Sequence, residues 1–249
     1  MTGNPRVRLM APISIAANDR VFVLTGAGIS AESGLPTFRA SDGLWAGHRI
    51  EDVCTPEALQ RNPALVWEFY SARRLSAQQA QPNPAHFALA KLEARLGDRF
   101  FLCTQNVDDL HERAGSRRLV HMHGELAKSR CEADCGRPPV EDHSIYRSLD
   151  EVGRCVCGAR LRPHIVFFGE IPLAMDRIQQ EIDRATLMLV VGTSGSVYPA
   201  ANFVHWARTH GAHTVYVGPE PPLNATAFTR VVEGRAGEAL PDLFNVAES

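Results

Sequence analysis

Two histidines in Val120-His121-Met122-His123-Gly124-Glu125-Leu126 follow an amide and carboxylate cluster, Thr104-Gln105-Asn106-Val107-Asp108-Asp109-Leu110-His111. Near the N-terminus an apolar run, Val21–Thr25, leads into Gly26-Ala27-Gly28-Ile29-Ser30-Ala31. An imidazole supplies a general base whose pKa lies close to working pH. A G-x-G-x-x-A turn after a strand supplies a phosphate cradle, because glycine admits close backbone approach and a helix start offers N–H groups. No serine or thiol nucleophile is obvious. The set suits chemistry on a bound dinucleotide better than hydrolysis of an ester or peptide. On the residues alone a core histidine at a strand end is the plainer reading of His123, and the glycine turn reads equally as a plain strand–helix connection.

These groups need a scaffold, and apolar runs recur at intervals suited to a parallel sheet. They are Val21–Thr25, Phe100–Thr104, 119–122, 165–168, Leu187–Val191 and 214–217, short and unbroken as strands covered on both faces are. Helical patterns lie between them at 85–96, 175–184 and 202–210. Alternating strand and helix predicts an α/β fold, a Rossmann-like doubly wound parallel sheet with ligands over the C-terminal strand ends. Two segments break the rhythm: 39–81 is helical without a clear strand, and 128–160 is polar and bears cysteines. They read as insertions that form a second, smaller lobe. The expected division is one catalytic domain over 1–249. Its large lobe takes about 10–38, 82–126 and 162–246; its small lobe takes about 39–81 and 127–161. A dinucleotide dehydrogenase wants an acidic residue ending a second strand after the turn. Thr37-Phe38-Arg39-Ala40-Ser41-Asp42-Gly43-Leu44-Trp45 reads as a loop instead.

With 249 residues, 45% hydrophobic and 22% charged, the chain is an ordinary soluble enzyme in composition. A formal net charge of −2 gives no basic field for nucleic acid or an anionic membrane. No apolar run reaches a membrane span. Arg6 and Arg8 before 9–17 faintly imitate a signal peptide, but Pro12 interrupts the run, which predicts a short helix packed on the domain. The expected compartment is the cytoplasm.

Cys54 and Cys103 stand alone in apolar surroundings, while Cys131, Cys135, Cys155 and Cys157 cluster in one polar segment. In a reducing compartment such pairs favour metal over disulfides. A partial site and redox chemistry remain as alternatives, and the Cys155-Val156-Cys157 step needs a turn to bring both thiols to one side. Farther upstream, Tyr70 and Arg73 are three apart in a helical stretch and share a face. An arginine fork binds a carboxylate bidentately and a tyrosine hydroxyl adds a bond. On spacing alone a packed tyrosine beside a solvated arginine is the plainer reading.

Taken in order, Gly26-Ala27-Gly28-Ile29-Ser30-Ala31-Glu32-Ser33-Gly34-Leu35-Pro36-Thr37-Phe38-Arg39, Thr104-Gln105-Asn106-Val107-Asp108, His121-Met122-His123-Gly124, Phe167-Phe168-Gly169-Glu170 and Gly192-Thr193-Ser194 resemble the sirtuin family of NAD-dependent protein deacylases over about residues 10–245. The resemblance implies that His123 is the catalytic base. It implies NAD contacts from Gly26, Ala27, Gly28, Ser30, Glu32, Thr37, Phe38, Arg39 and Trp45 in the loop, and from Gln105, Asn106, Val107 and Asp108 around the ribose and nicotinamide. Gly192, Thr193 and Ser194 would line the adenosine side, with Gly218 and Ala236 placed there by position. It also implies a Rossmann-like large domain with a small zinc-binding and helical lobe, and one structural zinc on Cys131, Cys135, Cys155 and Cys157. Tyr70 and Arg73 are similar to the Tyr-x-x-Arg of the class that removes succinyl, malonyl or glutaryl groups, so acetyl and acidic acyl groups are both expected substrates. NAD would be a consumed cosubstrate. The amide oxygen of acyl-lysine captures the ribose carbon as nicotinamide leaves; a neutral imidazole then takes a ribose hydroxyl proton, and O-acyl-ADP-ribose and lysine result. His121 and His111 read as structural. The implied partners are acyl-lysine proteins, with no specific nucleic acid, no membrane and no required oligomer.

Two features depart from the family pattern. The Cys-x-Cys step is one, and Gly218 the other, standing where relatives carry an asparagine toward the adenosine ribose, which predicts weaker NAD binding. Mono-ADP-ribosyl transfer or plain NAD cleavage is the competing enzymatic reading. A zinc-bearing module that binds nucleic acid or protein is the non-enzymatic one, disfavoured by the near-neutral charge.

Overall fold

The computed structural model describes residues 11–37, 44, 45 and 47–247, with the side chains of 44 and 45 outside the description. In chain order the elements are β1 (Ile13–Ile15), β2 (Val21–Thr25), β3 (Leu44–Trp45), β4 (His48–Arg49), α1 (Ile50–Val53), α2 (Pro56–Arg61), α3 (Pro63–Gln79), α4 (Pro84–Leu96), β5 (Phe100–Thr104), α5 (Leu110–Arg113) and β6 (Leu119–His121). There follow β7 (Gly124–Cys131), β8 (Val140–Glu141), β9 (Leu161–Ile165), α6 (Met175–Asp183), β10 (Leu187–Val191), α7 (Phe203–Thr209), β11 (His213–Gly218), β12 (Arg230–Glu233), α8 (Ala236–Ala239) and β13 (Phe244–Val246).

A parallel sheet in the order β12-β11-β10-β2-β5-β6 forms the body of the fold. Every residue of β2, β5 and β10 is buried, which is why these strands read as unbroken apolar runs. Val21, Val23, Leu102 and Leu189 face one core with Leu89 and Leu92 of α4. Phe22, Leu24, Phe101 and Val190 face the other with Ile178 and Ile182 of α6 and Phe203 of α7. The order of strands reverses between β2 and β10, so a crevice opens over their C-terminal ends, where open α/β sheets bind ligands. The helices start where the side chains direct. Thr55, Asn62 and Asn83 cap α2, α3 and α4, and each is followed by a proline, which needs no N–H partner in the first turn.

A separate antiparallel sheet, β8-β7-β9, carries the cysteine segment. Its core joins Val66, Phe69 and Tyr70 of α3 to Leu126, Ile165 and Phe167. Arg74, 2% exposed, pins α3 to this sheet. Its Nε donates to Leu126 O at 2.6 Å, and NH1 pairs with Asp142 at 3.0 Å. NH2 donates to Ser129 Oγ at 2.9 Å, and Ser129 in turn donates to Asp142. A buried guanidinium is tolerated because all of these acceptors converge on it.

Several expectations need correction. Ile13–Ile15 is not helical: it is a strand paired in parallel with β13, whose Phe244–Val246 offers the ladder partners that a short helix would lack. The run 165–168 does not join the parallel sheet. Leu161–Ile165 pairs antiparallel with β7, and Phe167 and Phe168 lie in the connection beyond it. The antiparallel sheet accordingly runs from Gly124 to Ile165. The helical segment upstream also contains the small β3–β4 pair. After the glycine turn come two 3-10 turns, Ala27–Ile29 and Ala31–Ser33, rather than an α-helix with an aligned dipole. The strand β12 at the sheet edge escaped sequence reading because its four residues carry no distinctive apolar run.

Candidate active site

The glycine turn is shaped by its opposite number at the end of β10. Gly28 N donates to Gly192 O at 2.8 Å, and Gly26 N to Val191 O at 2.9 Å. A Cβ on Gly28 would stand 2.7 Å from Gly192 Cα, and one on Gly192, where φ is +63°, only 2.5 Å from Ile29 N. The glycines therefore allow two backbones to touch. The N–H groups of Gly26, Gly28, Ile29 and Ser30 are all donated within the fold, so the turn is more a wall than the open nest of amides that its sequence suggests. Asn83, from the cap of α4, braces the turn by donating to Ile29 O at 2.8 Å and Ser33 Oγ at 3.0 Å.

Above this wall lies a cleft of about 1250 Å³. Gly26, Ala27, Gly28, Ser30, Thr37, Gln105, Asn106, Val107, Asp108, His123, Gly192, Thr193 and Ser194 all border it, as does Arg73. The floor is a hydrogen-bonded chain: Asn106 Nδ2 donates to Ser30 Oγ at 3.1 Å, and Ser30 Oγ to Asp108 Oδ2 at 3.2 Å. Burial pushes the Asp108 carboxyl above its ordinary value. Gln105 Nε2 donates to Thr193 Oγ1 at 3.2 Å and so bridges the two sides.

His123 follows β6, and its Nδ1 lies 3.1 Å from Gln105 O. A carbonyl only accepts, so Nδ1 carries the proton and Nε2 is left bare, the form a general base needs. Burial holds the ring below its ordinary pKa, so it is neutral at working pH. His111 is buried against Thr25 Oγ1 at 3.0 Å, and burial holds it well below its ordinary value.

Not every candidate reaches the cleft. Phe38 and Arg39 lie outside the described residues, and Trp45 is described only as backbone of β3. Glu32 accepts from Gly237 N at 2.7 Å, beside buried Ala236, and neither of the two candidates borders the cleft. Tyr70 is wholly buried; its hydroxyl donates to Cys54 Sγ at 3.1 Å and its ring stacks on Phe167. Arg73 and Cys54 border the cleft while Tyr70 stands behind them. Burial pulls the Arg73 guanidinium below its ordinary pKa, with Tyr70 and Cys54 acting against that shift.

Residues outside the sequence-derived set also border the cleft. Phe167, Phe168 and Glu170 come from a motif that was legible. Glu170 is clamped by Arg162 at 2.6 Å and accepts from Phe167 N at 2.7 Å, which fixes this loop. Tyr216 had no sequence signal, being one residue of a buried strand. Its hydroxyl donates to Thr193 O at 3.3 Å, and a Cβ on Gly218 would stand 2.3 Å from the Tyr216 hydroxyl oxygen. Gly218 is thus the space that Tyr216 fills, and Tyr216 takes the place at the cleft that a longer residue 218 would compete for.

Cys131, Cys135, Cys155 and Cys157 converge. Their sulfurs lie within 4.8 Å of one another, with 131–157 at 3.5 Å and 135–155 at 3.6 Å. Tetrahedral zinc with bonds of about 2.3 Å places its sulfurs about 3.8 Å apart, so the cluster fits that ion. The Cys-x-Cys step works because the chain turns there: Gly158 N donates to Cys155 O, with φ of +89° at Gly158.

A model of the Sir2 family matches residues 26–199. The NAD-dependent protein deacylase of Salmonella typhimurium is 55% identical over 227 residues, 90% of this chain and 82% of that one. The protein of the same name from Escherichia coli K12 is 53% identical over 225 residues, 90% and 80% of the two chains. A crystal structure of a Sir2 homolog–NAD complex superposes with a TM-score of 0.82 at 41% identity, covering 91% of this chain and 89% of that one. A Sir2–p53 peptide–NAD+ complex gives 0.76 at 31% identity, covering 89% and 90%.

Two outcomes are expected of this geometry. Gly218→Asn collides with the rigid Tyr216 ring and destabilises the fold by about 1–3 kcal/mol. Adding Tyr216→Ala recovers much of that loss in a denaturation double-mutant cycle; additive losses would separate the two positions. Cys155→Ser lowers the zinc content measured by elemental analysis and shifts thermal unfolding downward, as chelator does to the parent protein. A parent protein that purifies without zinc and ignores chelators would remove the metal from this cluster.

Proposed function

Because the chain belongs to the Sir2 family, we propose that its cleft removes acyl groups from protein lysines at the expense of NAD. The activity is NAD-dependent protein deacylation, and NAD is the consumed cosubstrate. The observation that carries the reading is His123, neutral and tautomerically fixed by Gln105 O, on the same cleft as the Gly28–Gly192 wall.

NAD supplies an electrophilic ribose carbon as nicotinamide departs. The residues do the rest. Gly26, Gly28 and Gly192 let the two turns close on each other into the wall against which a dinucleotide would lie. Gln105, Asn106, Asp108 and Ser30 offer a polar floor on which sugar and amide groups are oriented. His123 Nε2 accepts a hydroxyl proton, and its return completes the cycle. In this reading the partner is an acyl-lysine protein, and neither a second copy of the chain nor nucleic acid takes part.

The acyl end is read by Arg73. It borders the cleft from α3, with its guanidinium 5.6 Å from the Phe69 ring centroid and Cys54 nearby. A cation in a half-buried, low-dielectric place favours a succinyl, malonyl or glutaryl carboxylate while still admitting acetyl. Tyr70 supports this through Cys54, its hydroxyl being engaged there.

Mass analysis of products from acetyl-, succinyl- and glutaryl-lysine peptides with NAD tests the whole reading, and O-acyl-ADP-ribose is the expected product. Nicotinamide release that needs no acyl peptide would refute it. Arg73→Met is expected to cut kcat/KM for the succinyl peptide about 10- to 100-fold, the worth of a charged hydrogen bond, and far less for the acetyl peptide. Equal losses would remove Arg73 from acyl recognition. His123→Tyr abolishes both activities. In the parent enzyme the acid limb of the rate profile falls below the ordinary histidine value of about 6.5.

A further inference from the structure

The two histidines flanking Met122 grip consecutive peptide groups. His123 Nδ1 meets Gln105 O at 3.1 Å, and His121 Nδ1 meets the next carbonyl, Asn106 O, at 2.8 Å. The His121 ring is buried, and its Nε2 meets Glu112 Oε1 at 2.7 Å. A carbonyl and a carboxylate both only accept. A neutral imidazole donates from one nitrogen, so the imidazolium alone satisfies both contacts.

The gripped segment is the cleft floor. The Asn106 side chain donates to Ser30, and Ser30 to Asp108, while Gln105 O sets which nitrogen of His123 is bare. Gln105 N and Asn106 N are tied down, to Thr25 O at 2.9 Å and Thr104 Oγ1 at 3.0 Å. The two histidines hold the carbonyl side of the same segment.

The charges around His121 are mostly negative. Glu112 comes from α5, together with His111, which is neutral; Asp108 comes from the floor itself. Glu125 of β7 places a carboxylate oxygen within 4.8 Å of His121 and Glu112, and is itself paired with Lys128 at 2.9 Å. Burial opposes a charge on His121, but the bond and charge of Glu112, with Asn106 O and Glu125, outweigh it and hold the ring above its ordinary pKa. Burial likewise opposes the Glu112 carboxylate, yet His121 holds it below the ordinary range.

We infer that His121, kept as an imidazolium by Glu112, is a positioning residue for deacylation, fixing the Gln105–Asn106 carbonyls and through them the tautomer of His123 and the amide of Asn106. The inference rests on His123 as the base. The sign of its pH dependence follows from the two rings. His123, lowered, becomes the bare base as pH rises through its own depressed value. His121, raised, stays charged below its elevated value and loses that charge as pH rises through it. Activity is therefore bounded on the acid side by one histidine and on the alkaline side by the other.

Glu112→Gln removes the charge that holds His121 protonated. The alkaline limb of kcat/KM for NAD is expected to move down by about one pH unit or more, with a larger loss at about pH 8.5 than at about pH 6. KM for NAD should rise more than kcat falls, and Glu112→Asp should restore part of the limb. An alkaline limb that stays in place, or a loss equal at all pH, would overturn the inference. Nitrogen-15 NMR of the imidazoles in the parent enzyme reads the same claim without a variant. His121 should carry protons on both nitrogens near neutrality and His123 only on Nδ1; a neutral His121 there sinks the inference. Failure of His123→Tyr to abolish turnover would instead condemn the assignment of the base.

Discussion

The backbone of Gly28 rests against the backbone of Gly192, and the cleft is organised around that contact. It joins the C-terminal ends of β2 and β10, neighbouring strands on either side of the point where the sheet order reverses. A side chain at either position would pry the two turns apart by a carbon atom, since a Cβ there would stand only 2.5 to 2.7 Å from the facing backbone. With the turns in contact, Ser30 comes within reach of Asn106 and Asp108, and Gln105 within reach of Thr193. The polar floor is thus a consequence of a steric requirement met several residues away.

On that floor, burial does the electrostatic work. It keeps His123 neutral, and raises Asp108. His121 is the exception, because two acceptors meet it and Glu112 supplies a charge. Two imidazoles of the same short motif therefore occupy opposite protonation states, and the difference comes from the acceptor at each ring's second nitrogen.

The antiparallel sheet gives the other side of the cleft its rigidity. The cysteine cluster closes one end of it, and Arg74 fastens its middle to α3 through buried acceptors and Asp142. Arg162 and Glu170 then hold the loop that carries Phe167 and Phe168 to the cleft. Arg73 and Arg74, adjacent in sequence, diverge completely: a helix turns about 100° per residue, so one faces the cleft and the other the sheet.

The sequence by itself determined the parallel strands β2, β5 and β10, because residues covered on both faces must be apolar, and it determined the ordered motifs around His123 and the glycine turns, because their chemistry tolerates few residue types. It also marked the four cysteines. What only the tertiary structure decided were relations between distant segments. Ile13–Ile15 is a strand because β13 lies beside it, and Leu161–Ile165 is antiparallel because β7 does. Tyr70 turned away from the cleft because Cys54 accepts its hydroxyl, and Gly218 is small because Tyr216 is large. Local patterning records which face of an element is buried. It carries no record of which partner buries it, and that partner fixes the orientation of each polar group at the site.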